Sequence, residues 1–211
     1  NKGQSYYGIK RSSGTGNDSL TTKSGTAGSD IHLGSLYDTP PADTAKVVVA
    51  IVDTGVDPLH PELQGRFWIN PDEIPGNNTD DDHNGYVDDT LGFDISGDDF
   101  SFFDPIGDND PTDSVGHGTH IAGIIAANAN DAGIAGIAPW VEIMPVKMFP
   151  NGLVSVGAQG VAYAVSAGAK IINLSWGTPF ASSFLQATLN YAREQGVFVC
   201  IASGNSGSNQ R

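Results

Sequence analysis

Basic side chains are scarce in this chain: 10 Lys and Arg stand against 24 Asp and Glu, a formal charge of −14 at neutral pH. Nucleic-acid binding draws on clustered cations that displace counterions from phosphate, so no nucleic-acid partner is expected. Hard, oxygen-seeking cations suit such a composition better. Cysteine is almost missing too. The single Cys200 permits no internal disulfide, and its place in the apolar run 197–202 predicts a buried small hydrophobe. No stretch reaches the roughly 18 apolar residues of a membrane span, and no basic start leads into an apolar segment as in a signal peptide. The chain opens on Asn1 and both ends read as cut, so the missing signal weighs little against export.

What is present is length for a sizeable core and a clear alternation of elements. Residues 1–30 are rich in Gly, Ser, Thr and Asn without a period of 2 or 3.6, which predicts a flexible leader or linker. From Lys46 the pattern changes. Val47–Val52 is a β-branched run, as in a parallel strand covered on both faces. A helix is predicted from near His117 through Ala127, a strand over Val141–Val146 and a helix over Val154–Ala167. A strand over Lys170–Ser175, a helix over Phe184–Gln195 stopped by Gly196, and a strand over Val197–Ala202 complete the pattern. The fold class is therefore α/β, a mostly parallel β-sheet with helices on both faces. The interval from about 67 to 115 interrupts the rhythm, being dense in Asp, Asn, Gly and Pro. It reads as too polar for core and too long for an idle loop.

In such sheets the working crevice lies at the carboxyl ends of the strands. Asp53 follows one strand, Ser175-Trp176-Gly177 another and Ser203-Gly204-Asn205 a third, so all should share one rim. His117 opens a helix between two glycines, and His120 follows one turn later, a spacing also seen in metal pairs. Within the interrupting segment, Asp80, Asp82 and Asn84 fall at positions 1, 3 and 5 of a calcium loop. Gly85 falls at 6, the Tyr86 carbonyl at 7 and Asp88 at 9. Position 12 is Leu91 in place of the bidentate Glu, so Asp88 or Asp89 would have to close the shell.

Six strings, in order, carry a resemblance: Ala50-Ile51-Val52-Asp53-Thr54-Gly55-Val56-Asp57, His60-Pro61-Glu62-Leu63, His117-Gly118-Thr119-His120-Ile121-Ala122-Gly123, Gly136-Ile137-Ala138-Pro139, Ile172-Asn173-Leu174-Ser175-Trp176-Gly177 and Ala202-Ser203-Gly204-Asn205. Together they resemble the subtilase (subtilisin-like) family of serine peptidases from about Lys46 to the end. The resemblance implies that Asp53 is the triad carboxylate, His117 the general base and acid, and Asn205 the oxyanion-hole donor. It implies an extended peptide or protein substrate paired along Ser175, Trp176 and Gly177, with Gly204, Met148 and Phe149 flanking it and apolar side chains preferred on the acyl side. By the same resemblance the family's strong calcium site would use Glu62, Asn130 and the carbonyls of Asn128, Ala132 and Ile134, with Glu62 standing where an aspartate is usual. Structural Ca2+, secretion or a cell-envelope location, and a possible propeptide are implied likewise. No Gly-Thr-Ser-Met-Ala-like nucleophile segment occurs in residues 1–211. Residues 31–211 are thus expected to be the N-terminal part of a catalytic domain, inactive by themselves. Two other functions fit fewer features: a non-catalytic calcium- or peptide-binding module, and a metallohydrolase built on Asp53, His117 and His120.

Overall fold

Five short strands lie side by side in parallel, four of them rich in β-branched or aliphatic residues. The structure, a computed structural model, describes residues 5–9, 20–24, 46–96, 107–130, 133–205 and 207. In chain order the elements are β1 Ser5–Ile9, β2 Leu20–Ser24, β3 Val48–Asp53, β4 Phe93–Asp94, α1 His117–Ala126, β5 Glu142–Lys147, α2 Val154–Ser166, β6 Ile171–Leu174, α3 Ser183–Glu194 and β7 Phe198–Ile201. The main sheet runs β4-β5-β3-β6-β7. In its centre Val48 faces Glu142 and Asp53 faces Lys147 across β3–β5, while Val49 pairs with Ile171 across β3–β6.

Because side chains alternate along a strand, β3 feeds two cores at once. Ala50 and Val52 join Met144, Val146, Ile172 and Leu174 beneath α2 and α3. Val49 and Ile51 join Ile143, Leu63 and Val56 beneath α1, which presents Ala122 and Ala126. Helices on both faces, as the strand pattern predicted, are therefore what allows β3 to be apolar at every position before Asp53. Close approach needs small residues: a Cβ added to Gly160 of α2 would meet Val52 Cγ1 at 2.9 Å. At the far end, α3 starts where Ser182 Oγ accepts from the Leu185 N–H (3.2 Å), and Gly196 takes a φ of +76° just past its end.

Within the segment 1–30, read as a flexible leader or linker, β1 and β2 form an antiparallel pair, with Ser5 opposite Ser24 and Ile9 opposite Leu20. Two expectations need correction. Cys200 is exposed, not buried. It pairs with Asn173 and so shares the sheet face that carries α1, but among the described residues β7 is the outermost strand and α1 covers the centre. The segment 67–115 is not merely polar loop: Trp68, Phe93 and Ile95 enter the core, and β4 forms the sheet edge. Apolar periodicity could not reveal a two-residue strand inside an Asp-rich stretch.

Candidate active site

Asp53 is the last residue of β3 and is fully buried, with its Oδ1 accepting from the Thr54 N–H at 2.8 Å. The first residue of α1, His117, places Nδ1 2.6 Å from the same oxygen. An ionised carboxylate can only accept, so Nδ1 carries the proton and Nε2 is left as the basic nitrogen. The side chain of His117 is 56% exposed while that of Asp53 is 1% exposed. The pair thus has a buried end that orients and an open end that can meet a substrate.

Tight backbone packing sets this geometry. A Cβ on Gly118 would collide with the Gly55 carbonyl oxygen, and the Gly118 N–H donates to Thr54 Oγ1 at 2.9 Å. Gly55 itself takes φ +93°, and a Cβ there would strike the Pro111 carbonyl. Sequence reasoning missed Asp113. Its Oδ1 accepts from the N–H groups of Val115 and Gly116, both at 2.8 Å, and its Oδ2 from the Thr119 N–H (2.9 Å) and hydroxyl (2.7 Å). A carboxylate at the positive end of α1 holds the turn that carries His117. Burial would raise the Asp113 pKa, but these bonds outweigh it and hold the carboxyl below its ordinary value. An Asp four residues before a predicted helix was the available signal.

Asn205 lies beyond β7 on the same carboxyl rim, two strand spacings from β3 or about 10 Å across the sheet. Gly204 before it takes φ +84°, which turns the chain. A cleft of about 390 Å³ joins Trp176, Gly177, Ala202, Gly204 and Asn205, so two of the sequence segments assigned to substrate binding share one wall-to-wall site. Ser175 accepts from Asn173 Nδ2 at 2.8 Å. Trp176 does two things: its indole N–H donates to the Val52 carbonyl at 2.9 Å, and its ring closes over Gly157, where a Cβ would come within 2.6 Å. Met148 cannot face a substrate as expected, because it is fully buried in the core beside Gly157. Phe149 is half-buried against the same core.

His120 is exposed and lines a different cavity of about 620 Å³ with His60, Asp57 and Glu62. The trio Asp53, His117 and His120 forms no metal-sized cluster: among the described residues the only such group is Glu73, Asp82 and Asp89. Two of those three belong to the predicted calcium loop. Asp89 Oδ1 accepts from Asn70 Nδ2 (2.8 Å), and its Oδ2 accepts from Asn84 Nδ2 (3.1 Å) and from the Tyr163 hydroxyl of α2 (2.7 Å). Burial pushes the Asp89 carboxyl above its ordinary value despite those three bonds, and the neighbouring charge of Asp82 adds to the rise. Burial and the charge of Asp89 likewise raise the Tyr163 phenol. Other members of the loop turn elsewhere. Asp80 accepts from the N–H groups of Asn84 and Gly85, while both oxygens of Asp88 accept from those of Asn77 and Asn78. The Tyr86 ring packs edge-on to Phe93 and Tyr163.

At the second place where calcium is expected from the sequence, Glu62 Oε2 is buried without a hydrogen-bond partner among the described residues, and Gly133 lies against that carboxyl. The Asn128 N–H donates to the Glu62 carbonyl (2.9 Å) and its side chain to the Gln64 carbonyl (3.2 Å). Asn130 and Ile134 are exposed, and Ala132 lies outside the described residues.

A buried Asp bonded to an open-faced His stands at the carboxyl rim of the parallel sheet of an α/β protein, with a cleft lined by Trp176, Gly204 and Asn205 further along the same rim. A model of the subtilase family matches residues 44–211, and the chain belongs to that family. It is 36% identical to thermitase of Thermoactinomyces vulgaris over 79% of this chain and 50% of that protein. With subtilisin Savinase of Lederbergia lenta it shares 44% identity over 77% of this chain and 49% of the relative. The crystal structure of fervidolysin from Fervidobacterium pennivorans, described as a keratinolytic enzyme related to subtilisin, superposes with a TM-score of 0.56 at 32% identity, covering 77% of this chain and 22% of that one. The chain thus spans about half the length, or less, of these relatives. Among the described residues no helix is long and apolar enough to cross a membrane.

Proposed function

We propose that residues 46–211 supply the orienting and oxyanion-binding half of a subtilisin-like serine endopeptidase. The observation that carries this reading is the 2.6 Å contact between buried Asp53 and open-faced His117. A serine hydroxyl from a segment outside residues 1–211 would give its proton to His117 Nε2 as its oxygen attacks the scissile carbonyl. The same proton then passes to the leaving amine as the C–N bond breaks, and water repeats the cycle on the acyl-enzyme. Asp53 fixes the tautomer and stabilises the imidazolium, and it is the more effective for being desolvated. Asn205, on its glycine turn, donates its amide hydrogens to the oxyanion, an interaction worth on the order of 3 kcal/mol in such sites.

The peptide substrate lies along Ser175–Gly177, with an apolar acyl-side residue entering the cleft beneath Trp176 and Gly204. Calcium is the structural cation, held in the acidic segment and at the Glu62 loop, where the orphaned Glu62 oxygen supports it. Export, to the extracellular space or the cell envelope, follows from family resemblance.

The test uses the complete protein containing residues 1–211, assayed on a chromogenic peptide. Asp53→Asn is expected to lower kcat by roughly 10⁴-fold with a far smaller change in KM, because the wrong imidazole tautomer is then favoured. A loss below about tenfold would reject the triad assignment. An Ala or Gly at the nucleophile position downstream would instead favour a non-catalytic module.

A further inference from the structure

The acidic segment carries three carboxylates brought together with no cation on the protein side. Oxygens of Glu73, Asp82 and Asp89 lie within 4.8 Å of one another. Glu73 is 6% exposed and Asp89 fully buried, and none of the three pairs with a Lys, Arg or His among the described residues. Neutral donors satisfy only part of the cluster. Asn70 Nδ2 bridges Asp82 and Asp89 (3.0 and 2.8 Å), and Asn84 Nδ2 bridges the same two (3.0 and 3.1 Å). Glu73 Oε1 accepts from the N–H groups of Asp81 (2.8 Å) and Asp82 (3.2 Å). Glu73 Oε2, also buried, has no hydrogen-bond partner among the described residues. A buried carboxylate with one unpartnered oxygen, set beside two further carboxylates, is costly unless a cation shares them.

We infer that Glu73, which precedes the calcium-loop pattern of 80–91, is the ligand that closes the cation shell in place of Leu91, with Asp82 and Asp89 opposite it. The inference rests on the reading that the acidic segment takes calcium, and it revises that segment's ligand set. Ligand type favours Ca2+, a hard cation that takes several carboxylate and carbonyl oxygens from a flexible loop, whereas magnesium keeps most of its waters. Asp80 and Asp88 shape the loop through the backbone N–H groups they accept, and the cation sits on the Glu73 side. Through Asp89 and the Tyr163 hydroxyl the ion is coupled to α2. Asn70 and Asn84 are fixed in orientation, their amide oxygens accepting from the Asp72 N–H (3.1 Å) and the Tyr86 N–H (2.8 Å), so their Nδ2 groups hold Asp82 and Asp89 in place.

Terbium(III) provides a direct probe, because Tyr163 and Tyr86 are close enough to the carboxylates to sensitise its emission. The purified complete protein containing residues 1–211 is stripped with EDTA, loaded with Tb3+ and titrated with Ca2+, alongside Glu73→Gln and Asp80→Asn. Glu73→Gln keeps the shape and the acceptor for Asp81 and Asp82, so it is expected to fold. It should weaken calcium binding at the sensitised site at least tenfold and more than Asp80→Asn does. In EDTA its melting temperature should equal or exceed that of the parent, because one of three mutually repelling charges is gone. If Glu73→Gln binds within threefold of the parent while Asp80→Asn loses binding, the loop alone holds the ion; the Glu73 assignment then falls and the calcium reading stands. If the parent shows no calcium-displaceable emission and no calcium-dependent rise in melting temperature, both fall. Should Glu73→Gln not fold, Glu73→Asp, which keeps the charge but withdraws the oxygens by one carbon, decides by the same threefold and tenfold limits.

Discussion

Asp113 offers a quantitative test of how the site is held, since one carboxylate accepts from three backbone N–H groups and one hydroxyl at the start of α1. Asp113→Ala removes a helix cap, worth about 1 kcal/mol. It also removes a favourable charge at the helix N-terminus, about 0.5 kcal/mol for a partly exposed group. The Thr119 hydroxyl, which also accepts from the Asp57 N–H at 2.9 Å, loses its acceptor and costs on the order of another 1 kcal/mol. The expected destabilisation is about 2–3 kcal/mol, or roughly 5–10 °C in Tm for a chain of this size. Asp113→Asn keeps one acceptor and should lose about half as much. The pH dependence supplies an independent check. The folded-state pKa of Asp113 is lowered, so its contribution is present above the unfolded value of 3.8 and disappears as pH falls through the lower folded value. Urea unfolding followed by tryptophan fluorescence, at pH 7 and down to about pH 2, should show parent and Asp113→Ala converging as the acid is protonated. A difference under about 0.5 kcal/mol at neutral pH, or one independent of pH, would refute the capping argument.

Three further outcomes are expected. Gly118→Ala drives a methyl into the Gly55 carbonyl, so it should destabilise by about 2 kcal/mol or more in a urea titration and lower peptidase activity in the complete protein. Tyr163→Phe removes a buried donor from Asp89 and should cost about 1–3 kcal/mol in calcium-free buffer, read as a shift in the urea midpoint at unchanged m. A peptide library presented to the complete enzyme should favour apolar residues on the acyl side of the cut, and Trp176→Ala should flatten that preference; a profile led by charged residues would reject the cleft assignment.

The sequence alone determined the order and type of the elements from residue 46 onward other than β4, to within one or two residues at each end, because a strand buried on both faces has to be largely apolar. It also placed Asp53 and His117, since a strand end followed by a glycine-flanked helix start is local information. Elsewhere the chemistry depended on contacts between distant segments. Asp113 became legible only when its carboxylate met four donors, and Met148 moved from substrate wall to core because α2 and Trp176 close over it. In the acidic segment, sequence spacing picked out the loop, but it could not show which carboxylates converge. Only the folded chain sets Glu73 against Asp82 and Asp89 while turning Asp80 and Asp88 towards backbone N–H groups, because each carboxylate goes to the nearest donors that the surrounding backbone presents.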